Sequence, residues 1–256
     1  MIIFDTETAT TVYRRDGGGF GFEFLENGKV LLATGHCEGG EMSLLDPRTG
    51  QLFRLGSLGR GGWNATRTAI AVETGPYMGI GSAIWGYNVE KDFLFLPQAE
   101  RWEQLDHHLL WTPDGSHILF LHRPLSYTLE TDTYFLPAAQ SIVRVNATTG
   151  ERRVLVGDSR YDYHFCAGAY NQCDQWYGDW IQVRRFPFKP QSFVYDDILS
   201  DLPAATCSVY GMNCSESAEL FALNWRTGEL VPWSEALSSM FTPIPAQPNT
   251  GNWFFP

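Results

Sequence analysis

The stretch from Trp111 to Phe120 reads WTPDGSHILF and is the clearest structural signal in the chain. An apolar strand ends at Trp111, a Pro-Asp-Gly turn follows, and a second apolar strand begins near Ile118. Asp favours such a turn through its side chain, and Gly115 supplies the positive φ that lets the chain reverse. Farther on, Ile142 to Gly150 reads IVRVNATTG, again a strand followed by a turn. The two stretches predict consecutive antiparallel hairpins.

The second of these hairpins belongs to a repeat. Five segments share a hydrophobic strand, an Asp or Asn at the turn, often a Thr-Gly, and a second apolar strand. The turn residues are Asp5, Asp46, Asn88, Asn146 and Asn224. Hairpins of the first kind recur between them, around Gly28, around Asn64 and around Gly251. The repeat predicts a series of four-stranded antiparallel sheets.

The WTPDG turn followed by ILF, and then by NATTGE at 146–151, resembles the PD40 (WD40-like) repeat of TolB-type β-propellers. The resemblance is specific over 106–156 and covers most of the chain as a periodic pattern. It implies an all-β fold built as a β-propeller of four-stranded antiparallel blades. Unrelated functions share such propellers, so the resemblance implies a scaffold and not a reaction.

The turn spacing predicts the number of blades. The five turn residues are 41, 42, 58 and 78 residues apart, and a blade takes about 40–50 residues. We therefore expect residues 1–256 to form one propeller domain of five blades, with N- and C-terminal hairpins sharing one blade. The long last interval predicts an insertion within a blade at 187–217. Six blades, or a piece of a larger propeller, are the alternatives.

Composition excludes several classes of protein. The net charge of -11 would repel phosphate backbones, which argues against nucleic-acid binding. No run approaches the roughly 20 apolar residues that a membrane helix needs. Only 18% of residues are charged, while 25 are Gly and 14 are Pro, which favours short strands and turns over helices. We expect a monomer.

The cysteines give a compartment prediction. Cys166 and Cys173 are seven positions apart, as are Cys207 and Cys214, and Cys37 is left over. Two matched pairs favour disulfides in an oxidising, periplasmic or extracellular compartment, with buried thiols or a metal site as alternatives. The first residues lack the basic segment and cleavage site of a signal peptide, so a leader outside this sequence would reconcile the two observations.

Two triplets supply the candidate chemistry. Asp106-His107-His108 and Asp162-Tyr163-His164 repeat D-x-H at a 56-residue spacing, which matches the blade spacing and predicts neighbours in space. The candidate catalytic residues are Asp106, His108, Asp162 and His164. Imidazoles beside carboxylates suit a divalent metal, with His108 and His164 as candidate ligands, or a proton relay. Oligogalacturonate lyases, which resemble this chain only in fold, use a His-lined metal site. The alternative is that these side chains only fix blade packing.

Aromatic residues provide a second candidate surface. Rings beside carboxylates are typical of sugar-binding sites, although aromatic side chains also fill the space between blades. The candidate ligand-binding residues are His107, Tyr163, Asp174, Trp176, Tyr177 and Trp180.

The sequence thus predicts a non-catalytic propeller scaffold that binds a protein or carbohydrate partner at its channel face, with no cofactor. The alternative is a carbohydrate-active lyase or hydrolase with a His/Asp metal or water site at the channel mouth.

Overall fold

The computed structural model describes most of the chain. The described residues are 2–5, 9–14, 19–36, 39–57, 59–74, 82–97, 104–128, 130–131, 133–165, 175–188, 191–194, 218–234 and 244–245. They form twenty-three β-strands and no helix, so the all-β prediction is confirmed for this part of the chain. No helix able to span a membrane occurs among them.

The first two sheets are simple four-stranded meanders. Sheet 1 contains β3 (Gly19–Phe24), β4 (Val30–His36), β5 (Gly39–Asp46) and β6 (Gln51–Ser57). Sheet 2 contains β7 (Arg60–Trp63), β8 (Ala69–Thr74), β9 (Ala83–Asn88) and β10 (Phe93–Leu96). Each strand pairs antiparallel with the next one along the chain.

Sheet 3 has the same form with one hairpin added. Its strands are β11 (Gln104–Trp111), β12 (His117–Pro124), β15 (Ser141–Asn146) and β16 (Arg152–Val156). Between β12 and β15 the chain forms β13 (Ser126–Thr128) and β14 (Thr133–Leu136). These two strands join β20 (Gln191–Val194) in a separate three-stranded sheet.

Sheet 4 has a divided edge. It contains β17 (Tyr161–His164), β18 (Gln175–Tyr177), β19 (Trp180–Pro187), β21 (Glu219–Asn224), β22 (Leu230–Pro232) and β23 (Ile244–Pro245). β17 and β18 both pair with β19, at opposite ends of that strand. β21 also pairs with β19, and β23 pairs with β18. β17 and β18 therefore share one edge of β19.

Sheets 1 to 4 pack face to face through three apolar clusters. Leu31 and Met42 of sheet 1 meet Ile70 and Trp85 of sheet 2, all of them buried. A second cluster joins sheet 2 to sheet 3, and a third joins sheet 3 to sheet 4. Consecutive four-stranded antiparallel sheets stacked in this way have the arrangement of propeller blades. Burial of one large apolar side chain contributes about 1.5–3 kcal/mol, so these interfaces dominate the stability of the fold.

The predicted turn chemistry is confirmed at the ends of the sheets. The side chain of Asn146 accepts a hydrogen bond from the backbone N–H of Thr148 at 2.8 Å, and Asp46 accepts one from Arg48 at 2.9 Å. Gly150 follows with φ of 73°. These turns also tie sheets together, because the Asn88 side chain donates to the carbonyl of Ala147 in the next sheet at 2.9 Å.

The ring closure and the blade count remain predictions. β1 (Ile2–Asp5) and β2 (Thr10–Arg14) pair with each other, and Ile3 and Val12 pack against sheet 1. The predicted C-terminal hairpin lies outside the described residues except for β23. Of the predicted insertion at 187–217, the structure describes residues 187–188 and the strand β20, and the insertion stays a prediction.

Candidate functional site

The two D-x-H triplets lie side by side in the structure. Asp106, His107 and His108 belong to β11, while Asp162 and His164 belong to β17. The His108 and His164 rings meet edge to face with their centroids 5.2 Å apart. The 56-residue spacing of the triplets therefore correctly predicted that β11 and β17 are neighbours. They meet at one end of the boundary between sheets 3 and 4.

A β-bulge in β11 turns the His108 side chain toward His164. His107 pairs with Leu121 but Leu110 pairs with Leu119, so β11 contains one residue more than β12 over this stretch. His108 adopts a φ of 59°, a left-handed conformation that is uncommon for a residue with a side chain. Bulges redirect side chains and often occur beside functional sites. Here the bulge places the half-buried His108 ring against His164 and Phe165.

Asp106 has different partners. Its Oδ1 lies 2.6 Å from Nδ1 of His122, and its Oδ2 accepts a 2.6 Å hydrogen bond from Gln104. Successive strand residues point to opposite faces, so the Asp106 side chain diverges from that of His107. The predicted quartet of Asp106, His108, Asp162 and His164 therefore does not form one constellation, because Asp106 pairs with His122.

Gln140 connects the second triplet to the first. Its backbone N–H donates to Oδ1 of Asp162 at 2.7 Å, and its side-chain N–H donates to the Tyr163 carbonyl. The Gln140 Oε1 therefore faces Nε2 of His107 at 3.0 Å, and the network assigns the proton to that nitrogen. This buried network holds β11, β15 and β17 in register.

A buried ion pair completes the network. Nη2 of Arg123 lies 2.8 Å from Oδ1 of Asp162, and the Arg123 side chain is only 1% exposed. The contact is an ion pair without hydrogen-bond alignment, since Nη2 and Nε have no hydrogen-bond partner in the part of the chain that the structure describes. Burial lowers the pKa of Arg123. Burial raises the pKa of Asp162, and the nearby Arg123 partly offsets that rise.

Burial keeps two of the histidines neutral. It lowers the pKa of His107 to about 3, and repulsion by His108 adds to the effect. The pKa of His164 is also well below its usual range, first because of burial and then because of His108 and His107. At neutral pH both rings therefore act as uncharged hydrogen-bonding and packing groups.

Few metal donors of the predicted site lie among the described residues. No group of three or more His, Cys, Asp or Glu side chains within the described ranges is arranged to hold a metal ion. His108 and His164 could supply two ligands, whereas a zinc site takes three or four from the protein. His108 and His164 are thus the two donors that the described residues bring together here, and the metal site stays a prediction.

The aromatic candidates divide into core and surface. Tyr163 and Trp176 are buried in the cluster between sheets 3 and 4, so these rings pack in the core and line no surface. Tyr177 is half-buried and meets Trp233 at 5.0 Å, and Trp180 is half-buried at the start of β19. Asp174 and all five cysteines, including Cys166, Cys173, Cys207 and Cys214, lie outside the described residues.

Arg123, Gln140 and His122 were missed as site residues by the sequence reasoning. A signal for Arg123 exists, since a charged residue at the end of the apolar run ILFLHR needs a buried partner. Gln140 lies in a loop and carries no such pattern. Its role depends on the approach of β17, which is separated from it by more than twenty residues.

Comparisons with known proteins find similar solved structures but no matching family. No family model matches the chain, and no curated protein matches it. Similar solved structures include a prolyl endopeptidase, with 11% identity over 86% of this chain and 30% of that chain and a TM-score of 0.38. TolB from Acinetobacter baumannii shows 13% identity over 73% of this chain and 45% of its own, with a TM-score of 0.29.

An oligogalacturonate lyase in complex with manganese shows 13% identity over 90% of this chain and 58% of its own, with a TM-score of 0.34. This chain therefore spans less than two thirds of each of these three proteins.

Proposed function

We propose that this chain is a non-catalytic β-propeller scaffold that binds a protein or glycan partner. The binding face is the end of sheets 3 and 4 at which the bulge presents His108. We further propose one ring of five blades, residence in the periplasm or outside the cell, and a monomeric protein without a cofactor.

One observation supports a scaffold above all others: both carboxylates of the candidate site are used within the fold. Asp162 pairs with Arg123 and accepts the Gln140 backbone N–H, while Asp106 pairs with His122 and Gln104. Buried, paired carboxylates of this kind fix strand positions. The half-buried His108 on its bulge is then suited to contact a partner.

The test is a glycan array probed with the wild-type protein and with two variants. We expect binding to one class of glycan, lost in His108→Ala and retained in His117→Gln. His117 is a suitable control because it lies at the other end of β12, against Trp225. If His108→Ala still binds the glycan, the binding site lies on another face of the protein. Turnover of the bound glycan would contradict a non-catalytic role.

A carbohydrate-active lyase or hydrolase is the second candidate. The contact between His108 and His164 favours it, because a strained backbone beside two imidazoles is common at active sites. Metal analysis of the purified protein, followed by His108→Ala and His164→Ala, separates the two functions. A metal lost in both variants would refute the scaffold proposal, and metal-free protein would remove the metal-dependent lyase.

Ring closure has its own support on sheet 1. Phe22 and Phe24 of β3 are 55% and 69% exposed and meet edge to face at 5.7 Å. They lie on the face of sheet 1 that is turned away from sheet 2. If a blade shared by the two termini covers this face, removal of residues 241–256 should lower the Tm and increase binding of a hydrophobic dye. An unchanged Tm would argue against this closure.

A further inference from the structure

Asp106 and His122 form a pair that is separate from the contact between His108 and His164. The two residues are directly opposite each other on β11 and β12, so their side chains share one face of sheet 3. The next pair, His107 with Leu121, points to the other face. The pair therefore lies on the side of β11 that faces sheet 2, where the backbone N–H of Asp106 donates to the Ser82 carbonyl at 3.0 Å.

The carboxylate of this pair is held from both sides. Oδ1 contacts Nδ1 of His122 at 2.6 Å, and Oδ2 accepts from Nε2 of Gln104 at 2.6 Å. The Asp106 side chain is 2% exposed, whereas that of His122 is 22% exposed. A buried carboxylate thus orients an imidazole that reaches the surface.

This arrangement fixes the tautomer of His122. An ionised carboxylate only accepts hydrogen bonds, so Nδ1 must carry the proton that it donates to Asp106. In the neutral ring, Nε2 then has an unshared electron pair. Among the described residues, the His122 ring makes its hydrogen bond through Nδ1, to Asp106. Nε2 is therefore the atom that this pair offers to a ligand.

We propose that Nε2 of His122 accepts a hydrogen bond from a hydroxyl group of the ligand, with Asp106 as the positioning residue. This inference rests on the proposed function and takes the partner to be a glycan. An Nε2 atom that accepts a hydrogen bond favours a ligand that presents a hydroxyl donor over one that presents only acceptor oxygens, such as a phosphate or a carboxylate. A sugar ring presents several such donors at fixed angles.

The Asp106→Asn variant tests the tautomer without any ligand. In this variant the amide oxygen can accept from Gln104 while the amide N–H donates to Nδ1 of His122, which moves the ring proton to Nε2. Long-range proton–nitrogen NMR spectra should show protonated Nδ1 in the wild type and protonated Nε2 in the variant. A wild-type ring protonated at Nε2 would overturn the proposal.

Reactivity gives a second readout. Diethyl pyrocarbonate attacks unprotonated imidazole nitrogens, so peptide mapping should find His122 modified at least ~10-fold faster than the buried His107 and His164. Asp106→Asn should slow the modification of His122 by about 10-fold or more, since a wrong tautomer removes the reactive nitrogen. His117→Gln, far from the pair, should leave the rate unchanged. Equal rates in wild type and Asp106→Asn would contradict the role of Asp106.

Protection then tests the ligand. A glycan that binds on the array should slow carbethoxylation of His122 about 10-fold at saturation, and His122→Gln should weaken its binding by about 10-fold, the loss expected for one good hydrogen bond. His122→Gln keeps a hydrogen-bond donor to Asp106, so this variant should retain the fold. A bound glycan that leaves His122 unprotected would refute this inference alone. A protein that binds no glycan would refute both the glycan partner and this inference.

Discussion

Three consecutive residues of β11 have three different environments. Asp106 pairs with His122 toward sheet 2, His107 bonds to the buried Gln140, and His108 turns on a positive φ toward His164. Strand alternation separates the first two, and the bulge redirects the third. His107 and His108 are of one residue type and yet have different partners, because their backbone positions differ.

The neutral state of His107 predicts acid sensitivity. Its pKa in the folded protein is about 3, below the ordinary value of 6.5, so the unfolded chain binds a proton that the folded chain does not. The contribution of His107 to the free energy of unfolding should be constant above about pH 6.5 and fall as the pH decreases toward 3, by about 1.4 kcal/mol per pH unit, and the lowered pKa of His164 should add to this slope. Urea unfolding at pH 7.5, 6.0 and 5.0 measures this slope. His107→Gln should have a smaller slope, and an unchanged slope would assign the effect to other groups.

The ion pair of Arg123 and Asp162 predicts a non-additive pair of mutations. Arg123→Met leaves the buried Asp162 carboxylate without its cation, which should cost about 3–5 kcal/mol. Adding Asp162→Asn removes the uncompensated charge while retaining an acceptor for Gln140, so the double variant should be more stable than Arg123→Met. Chemical denaturation of Arg123→Met, Asp162→Asn and the double variant provides the comparison. A cost below about 1 kcal/mol for Arg123→Met would mean that the pair is solvated.

At the scale of elements, sheets 1 to 3 are meanders, and hydrogen bonds from side chains join one sheet to the next. Nδ2 of Asn64 donates to the Gly115 carbonyl at 3.0 Å, and the Trp111 indole donates to the Gly62 carbonyl at 2.9 Å. Both bonds join sheet 2 to sheet 3. Sheet 4 departs from the meander because β17 and β18 divide its edge.

Close packing within sheet 2 predicts a strong effect of one added methyl group. A Cβ on Gly86 would lie 2.2 Å from the ring of Phe95, so Gly86→Ala should destabilise the protein by about 1–3 kcal/mol. The cost should largely disappear in a Phe95→Leu background, as a double-mutant cycle in urea would show.

Gly28→Ala is the matched control. This residue has a φ of 82°, and the nearest atom to an added Cβ is Nη2 of Arg48 at 4.0 Å, so its cost of about 1 kcal/mol should not depend on residue 95. Additive effects of Gly86→Ala and Phe95→Leu would argue against the close contact.

At the scale of the whole molecule, four stacked sheets share three apolar interfaces, and buried polar side chains such as Asn64 and Asn88 lie at strand ends. This separation leaves the sheet ends as the surfaces that can vary without disturbing the core. The candidate site occupies one such end, at the boundary of sheets 3 and 4.

The cysteine spacing predicts covalent closure of two short loops, Cys166 to Cys173 and Cys207 to Cys214. Alkylation of the denatured protein without reductant should modify one thiol, that of Cys37, and alkylation after reduction should modify five. Intact mass measurement counts them directly. Five modified thiols before reduction would refute both disulfides and remove the main support for an oxidising compartment.

The sequence by itself determined the hairpins, because Asp or Asn followed by Gly fixes a turn within a few residues. Its 56-residue repeat of D-x-H also identified the two strands that meet. The partners of each side chain depended on the tertiary structure. The one-residue bulge in β11 and the approach of Gln140 to Asp162 leave no local signal, and the apolar run before Arg123 indicates only that this cation needs a buried partner, not which one. Turn formation is local physics, whereas the pairing of buried charges depends on which strands become neighbours.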